Sequence, residues 1–220
     1  MEELTTTRSK DQVSTAAIDQ FVSRFFFKKV YGAHEMVTDR DRQLKGIDVI
    51  VGNMKIDCKA MSAPQYINHP RPTFVQEIWS YSPKAHTYRE GWFVNPGETT
   101  HYLFIWVTKA NVAKGNYITN SKEIEELEVM LVDSAAFHEF VYSYASRERL
   151  VSYGWHMIEN KISEPVQLSN FFSWGRLAPS MVRSGQLAEG PVNLVMPKDI
   201  LRRFAVKHCY VTAKEITDIH

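Results

Sequence analysis

The feature that most constrains this chain is the stretch KGIDVIVGNMKIDCKA, residues 45–60. Gly52 and Asn53 stand between two apolar runs. Both residue types tolerate positive φ, so the pair predicts a two-residue hairpin turn. A turn there sets the register, with facing residues whose numbers sum to 105. Val51 then faces Met54, Val49 faces Ile56 and Ile47 faces Cys58. Those six residues form one continuous apolar face of the kind that covers a core. The same register sets Asp48 opposite Asp57, with Cβ atoms roughly 4.5–5.5 Å apart. Lys59 lies two residues beyond Asp57 and points to the same face, where its partner Gly46 has no side chain to fill the space.

Facing like charges destabilise a sheet, and aspartate is depleted in strands. One reading is a solvated face that tolerates the pair. The other is a cation held between the carboxylates. Two aspartate oxygens with room for several waters suit Mg²⁺. A lysine beside such a site can steer or deprotonate a water, or offset charge on a phosphate.

Asp48 and, nine positions on, Asp57-Cys58-Lys59 on the next strand resemble the signature of the PD-(D/E)XK nucleases, the restriction-endonuclease-like superfamily. The runs RQLKGIDVIV and IDCKA resemble its small microbial and phage-type members, as do Phe74 to Glu77 and Gly91 to Trp106. The likeness spans roughly residues 15 to 110. Ile47 stands where the name-giving proline would be, and Asp57 replaces the commoner glutamate. The resemblance implies an α/β fold in which a helix is followed by a mixed β-sheet with flanking helices. It implies Mg²⁺ as cofactor, with Mn²⁺ substituting. Asp48 and Asp57 would hold the metal, helped by the backbone carbonyl of Cys58, and Lys59 would activate the attacking water.

Composition sets the outer bounds. The chain has 220 residues, 44% apolar and 12% aromatic, which describes a globular domain. The reading is one domain over residues 1–220: a polar arm at 1–12, a core carrying the site at 13–110, and additional strands and helices at 111–220. MEELTTTRSKDQ is polar and carries no secretory signal, and no apolar run approaches a membrane span. Cys58 and Cys209 make no disulfide framework, so a reducing cytoplasm is the expected compartment. A net charge of +1 is not the footprint of a dedicated nucleic-acid binder, so a nuclease here must concentrate positive charge locally.

Along the chain, Ile18, Phe21, Val22, Phe25 and Phe26 predict a helix from Ser14, ended by Gly32. AHEMVTD predicts a first strand and DRDRQLK a charged connection. APQYINHPRP is a loop, TFVQEIWSYS a strand, SPKAHTYREGWFVNPGETT an irregular excursion and HYLFIWVTK a buried strand. LEVMLVDSAAFHEFVYSYA and PVNLVMPKDILRRFAVKHC each read as strand into helix, with Ser134 as a cap and Pro197 at a helix start. EIEELE reads as a solvated face, and Phe171, Phe172 and Trp174 of FFSWGRL as core.

Further site candidates follow. Glu77, flanked by apolar residues on its strand, is expensive to bury without a partner. It ranks first as the acid completing the site, on a strand expected beside the hairpin. Asp19 on the first helix is its rival. Lys45, Lys84, His86 and Arg89 are candidate phosphate contacts, as are Arg202, Arg203 and Lys207 on one helix face. His101 and His138 lack metal-ligand spacing and read as structural. The sequence therefore predicts a Mg²⁺-dependent nuclease acting on phosphodiester bonds, DNA before RNA. A homodimer would suit double-strand cutting. The alternative is a non-catalytic nucleic-acid-binding or assembly protein that keeps the fold.

Overall fold

A computed structural model describes residues 2–82, 85–166, 176–179 and 190–219. The chain is a mixed α/β protein with a mostly antiparallel sheet and flanking helices. It divides into two compact units, each assembled from separated segments. One is made of residues 5–71, 98–135 and 204–220, the other of residues 1–4, 72–97 and 136–203. The units interleave in sequence, whereas the sequence reading ran core and additions consecutively.

The first unit holds a seven-stranded sheet of order β1-β2-β3-β6-β7-β10-β11. Its strands are β1 (Glu35–Met36), β2 (Val49–Val51), β3 (Met54–Met61), β6 (His101–Ala110), β7 (Ile124–Asp133), β10 (Ala205–Thr212) and β11 (Ile216–Asp218). Only the β3–β6 pair is parallel. Helix α1 (Glu2–Val22) continues through a π-helical turn (Ser23–Phe27) into α2 (Lys28–Val30). In that turn the Lys28 N–H reaches back to the Ser23 carbonyl, and Phe26 and Phe27 are both buried. Ile18, Phe21, Val22, Phe26 and Phe27 pack with Val49, Ile56, Leu103, Ile105, Val129, Leu131 and Val211 in one core. Burying each such side chain contributes roughly 1.5–3 kcal/mol. The alternate residues Tyr102, Phe104 and Trp106 are equally buried, which is why HYLFIWV is apolar without alternation.

Helix α1 begins at Glu2, so residues 2–12 are helical rather than a loose arm. The segment is tied down at two polar points: the Ser62 hydroxyl donates to Asp11 at 2.7 Å, and the Ser14 hydroxyl to the Ser62 carbonyl at 3.4 Å. The charged connection contains the short helix α3 (Arg40–Leu44), capped by Asp39, which accepts from the N–H groups of Asp41 and Arg42. The acidic run EIEELE is also not a simple solvated face. All of it but Glu123 lies on β7, and its last residue, Glu128, is buried 2.8 Å from Nε2 of His208.

The second unit holds a four-stranded sheet of order β5-β4-β9-β8: β4 (Thr73–Ser82), β5 (Thr87–Glu90), β8 (Arg176–Pro179) and β9 (Val192–Pro197). Part of the expected irregular excursion is thus a strand, held by Tyr81 against Tyr88 and by the ion pair of Glu90 with Arg147. Helices α4 (Ser134–Tyr144), α5 (Arg147–Glu159) and α6 (Lys198–Arg202) complete the chain's elements. Ser134 is the first residue of α4 and not the residue before it, and Pro197 stands at the N-cap position of α6 without a side-chain bond to the helix. Helix α5 packs on β4 and β9, and the Trp79 indole donates to the Val151 carbonyl at 2.9 Å. The expected basic helix face does not form, because α6 stops at Arg202 and Lys207 lies on β10, paired with Asp218. Lys84, Phe171, Phe172 and Trp174 lie outside the described residues.

Candidate active site

The hairpin takes the predicted register: Val51 pairs with Met54, Ile50 with Lys55 and Val49 with Ile56. Of the two turn residues only Gly52 has positive φ, at 57°, the pattern of a type II′ turn. Ile47, Val49, Val51 and Ile56 are buried, with Met54 and Cys58 packed against the same core.

The ladder ends at Val49, and Asp48 leaves it in a specific way. Its N–H donates to the Ile56 carbonyl at 2.9 Å, and its own carbonyl accepts from Val37 at 2.8 Å. Its carboxylate Oδ2 accepts the Cys58 N–H at 2.8 Å, taking the place of a strand carbonyl. This turns Asp48 along the edge of β3 rather than squarely across from Asp57. The charge of Asp48 still bears on the Asp57 carboxyl and raises it. Asp57 is only 3% exposed, and Lys59 Nζ lies 2.7 Å from its Oδ1.

Helix α1 brings a third acid. Burial, reinforced by the charge of Asp48, pushes the Asp19 carboxyl up to about 7. Burial also lifts Asp57 to about 7, with Lys59 opposing the rise and Asp48 adding to it. The Cys58 thiol is pushed well above its ordinary range, by burial first and then by Asp19, Asp48 and Asp57. The thiol belongs to the core, so any part Cys58 plays in the site falls to its backbone.

Asp19 and Asp48 line a cleft of about 440 Å³ together with Asp11, Gln12, Thr15, Ala16, Arg40 and Gln43. The helix residues among these fall at positions 11, 12, 15, 16 and 19, one stripe of a helix. That spacing is readable once the helix is started before Ser14. The Gln43 amide donates to the Val37 carbonyl at 3.0 Å, which fixes that wall.

Glu77 is not brought onto the hairpin's sheet. Both edges of β3 are taken, by β2 and β6, while β4 belongs to the other sheet, where Glu77 faces Asn193 of β9. The expected adjacency of this strand to the hairpin is therefore corrected. The physical reason is a better partner: Phe74, Gln76, Ile78 and Ser80 form the buried side of β4, and the apolar run of β9 pairs with it. Lys45, another expected phosphate contact, is engaged with Glu98 at 3.0 Å. His86 and Arg89 are exposed in the second unit. Half-buried His138 stacks with Tyr142 and Phe137, and desolvation lowers it to about 4.

Among the described residues, no group of three or more His, Cys, Asp or Glu side chains is arranged to hold a metal ion. Mg²⁺ asks for less, one or two carboxylates with water completing the shell. Asp48 and Asp57 carry oxygen donors of that hard type, and Asp57 is buried. Lys59 supplies positive charge to Asp57 in this arrangement. No helix among the described residues is long and apolar enough to cross a membrane. Comparison of the chain with family models, curated proteins and solved structures finds no significant match.

Proposed function

We propose that this chain is a Mg²⁺-dependent nuclease of the PD-(D/E)XK type, hydrolysing phosphodiester bonds in DNA. The observation that carries the reading is buried Asp57 with Lys59 Nζ 2.7 Å from its Oδ1, on the hairpin strand paired beside Asp48. A buried carboxyl beside a second acid is costly to ionise, as Asp57 is. A divalent cation removes that cost. Asp48 and Asp57 would hold it with the Cys58 carbonyl, and Asp19 replaces Glu77 as the third acid. The metal, when bound, supplies Lewis-acid polarisation of the phosphate. Lys59, freed from Asp57 once the cation binds and with its ammonium proton lost to solvent, would orient the attacking water and take up its proton.

The rival is a nucleic-acid-binding or assembly protein without catalysis. The Lys59–Asp57 ion pair favours it, since that pair satisfies the buried acid without any metal. A titration of Mg²⁺ or Mn²⁺ with labelled single-stranded, double-stranded and branched DNA, beside Lys59→Ala, decides between them. Metal-dependent cleavage lost in the variant supports the nuclease. Binding without cleavage at any metal concentration supports the rival. Cleavage of double strands at both positions would further support a homodimer in the reducing cytoplasm.

A further inference from the structure

The cleft beside Asp19 and Asp48 has a second wall of opposite character. Arg40 is its only cationic lining residue. The neighbouring cations are engaged: Arg42 with Glu35 at 2.7 Å and with Asp39, Lys45 and Lys55 with Glu98, and Lys59 with Asp57. Arg40 is exposed and, among the described residues, makes no ion pair, although three carboxylates line the same cleft. Two of those acids are turned to other donors, Asp11 to the Ser62 hydroxyl and Asp48 to the Cys58 N–H. The cleft thus keeps an acidic wall and an unspent guanidinium apart, with Gln12, Thr15 and Gln43 as polar lining. A ligand that satisfies both walls carries an anion and arrives with a cation. A nucleic-acid phosphate accompanied by a divalent metal meets both demands. A guanidinium fork binds phosphate oxygens in pairs, which an ammonium does not.

We infer that Arg40 is a positioning residue that grips a backbone phosphate of a nucleic-acid strand lying in the Asp19–Asp48 cleft. This rests on the nuclease reading for the identity of the strand, while the grip itself is a binding property. Arg40 touches no reacting atom in this assignment; it fixes the strand's register over the acids.

The test is fluorescence anisotropy with a labelled single-stranded oligonucleotide and a duplex, across a salt series in Ca²⁺, for wild type, Arg40→Ala, Arg40→Lys and the control Lys114→Ala. Lys114 is exposed and does not line the cleft. Loss of a charged hydrogen bond predicts about tenfold weaker binding for Arg40→Ala. Its salt slope should fall by about 1, as for the loss of one phosphate contact. Arg40→Lys should recover part of the affinity, Lys114→Ala should match wild type, and all melting temperatures should agree. Equal affinity and slope for Arg40→Ala and Lys114→Ala would overturn the inference. Cleavage in Mg²⁺ is scored separately. If wild type cleaves while Arg40→Ala binds normally, the inference fails and the nuclease reading stands. If binding depends on Arg40 but nothing is cleaved, the inference stands and the nuclease reading falls. If wild type neither binds nor cleaves, both fall.

Discussion

Strands β3 and β4 look alike in sequence and end in different circumstances. Each carries an acid next to an isoleucine, Asp57 after Ile56 in KIDCK and Glu77 before Ile78 in VQEIW. Asp57 lies in a sheet whose adjoining residues supply Asp48 and Lys59, and a helix on that sheet supplies Asp19. Glu77 lies in a separate four-stranded sheet, opposite Asn193. The partner of β3 on one edge is set by a two-residue turn. The partner of β4 is β9, more than a hundred residues away in sequence. The neighbours of the first acid are thus set by local geometry, and the sheet of the second by a long-range pairing.

The sharpest way to break this comparison is to remove the lysine that goes with Asp57. Lys59→Ala should lower kcat for DNA cleavage by about 10²–10⁴-fold, the range for a lost general base. Glu77→Gln should leave cleavage close to wild type. Steady-state rates on one labelled duplex in Mg²⁺ measure both. A collapse of activity in Glu77→Gln with Lys59→Ala unaffected would reverse the assignment of the two strands.

Metal affinity sharpens the same contrast from the helix side. Asp19→Asn should weaken Mn²⁺ binding about 10–100-fold, as the loss of a supporting or direct ligand does. Glu77→Gln should not weaken it. Isothermal titration of Mn²⁺ into the apo variants reads this directly. Equal affinities for wild type and Asp19→Asn would leave the site with two acids only.

What was legible in the sequence divides along the same line. The hairpin register and the inward set of Ile47, Val49, Val51 and Ile56 follow from Gly52 and alternation. The exit of Asp48 from the ladder does not. It depends on a carboxylate replacing a carbonyl on the Cys58 N–H, which no residue pattern signals. The start of α1 was hidden because residues 2–12 carry no apolar stripe, and their anchor is Ser62, distant in sequence. With that start hidden, the stripe of Asp11, Thr15 and Asp19 was hidden too, and Asp19 ranked below Glu77. The four-stranded sheet was illegible because its central pairing is long-range. Arg40 was read as part of a charged connection, since nothing in DRDRQLK tells a paired cation from an unpaired one.

A third measurement tests the burial that separates Asp57 and Asp19 from ordinary carboxylates. Both are raised from 3.8 to about 7 in the folded chain. Between about pH 4 and pH 7 the folded state then binds more protons than the unfolded chain. Stability from these groups is full below about pH 4 and falls as pH rises to about 7. The melting-temperature advantage of the apo wild type over Asp57→Asn should therefore shrink by a few degrees across that window and level off above it, with the ordering of the two proteins left open. Mg²⁺ should raise the wild-type melting temperature more at pH 8 than at pH 5, because protons compete for the same oxygens. A difference that stays flat with pH would mean that Asp57 titrates as a solvated acid does.

The smallest effects come from two glycines, one in each sheet's hairpin, which hold their strands for different reasons. Gly91 needs space: a Cβ there would lie 2.3 Å from the Glu77 carbonyl oxygen and 2.5 Å from its carbon. Those are backbone atoms in the bulge of β4, where the Gly91 N–H donates to Ile78 and the Phe93 N–H to Glu77. The clash cannot be relieved by turning a side chain. Gly91→Ala should destabilise by about 1–3 kcal/mol, the usual cost of overpacking. Gly52 needs only a backbone conformation: its φ is +57° and nothing lies within 4 Å of an added Cβ. Gly52→Ala should cost about 1 kcal/mol, the strain of an L-residue in that region. Amide hydrogen exchange separates the two, because each loss should be confined to its own sheet. Faster exchange is expected along β4, β5 and β9 for Gly91→Ala, and along β2 and β3 for Gly52→Ala. If Gly52→Ala proved the costlier change, the turn would be contributing more to the register of Asp48 and Asp57 than the apolar face beneath it, and the hairpin would be held by its loop and not by its core.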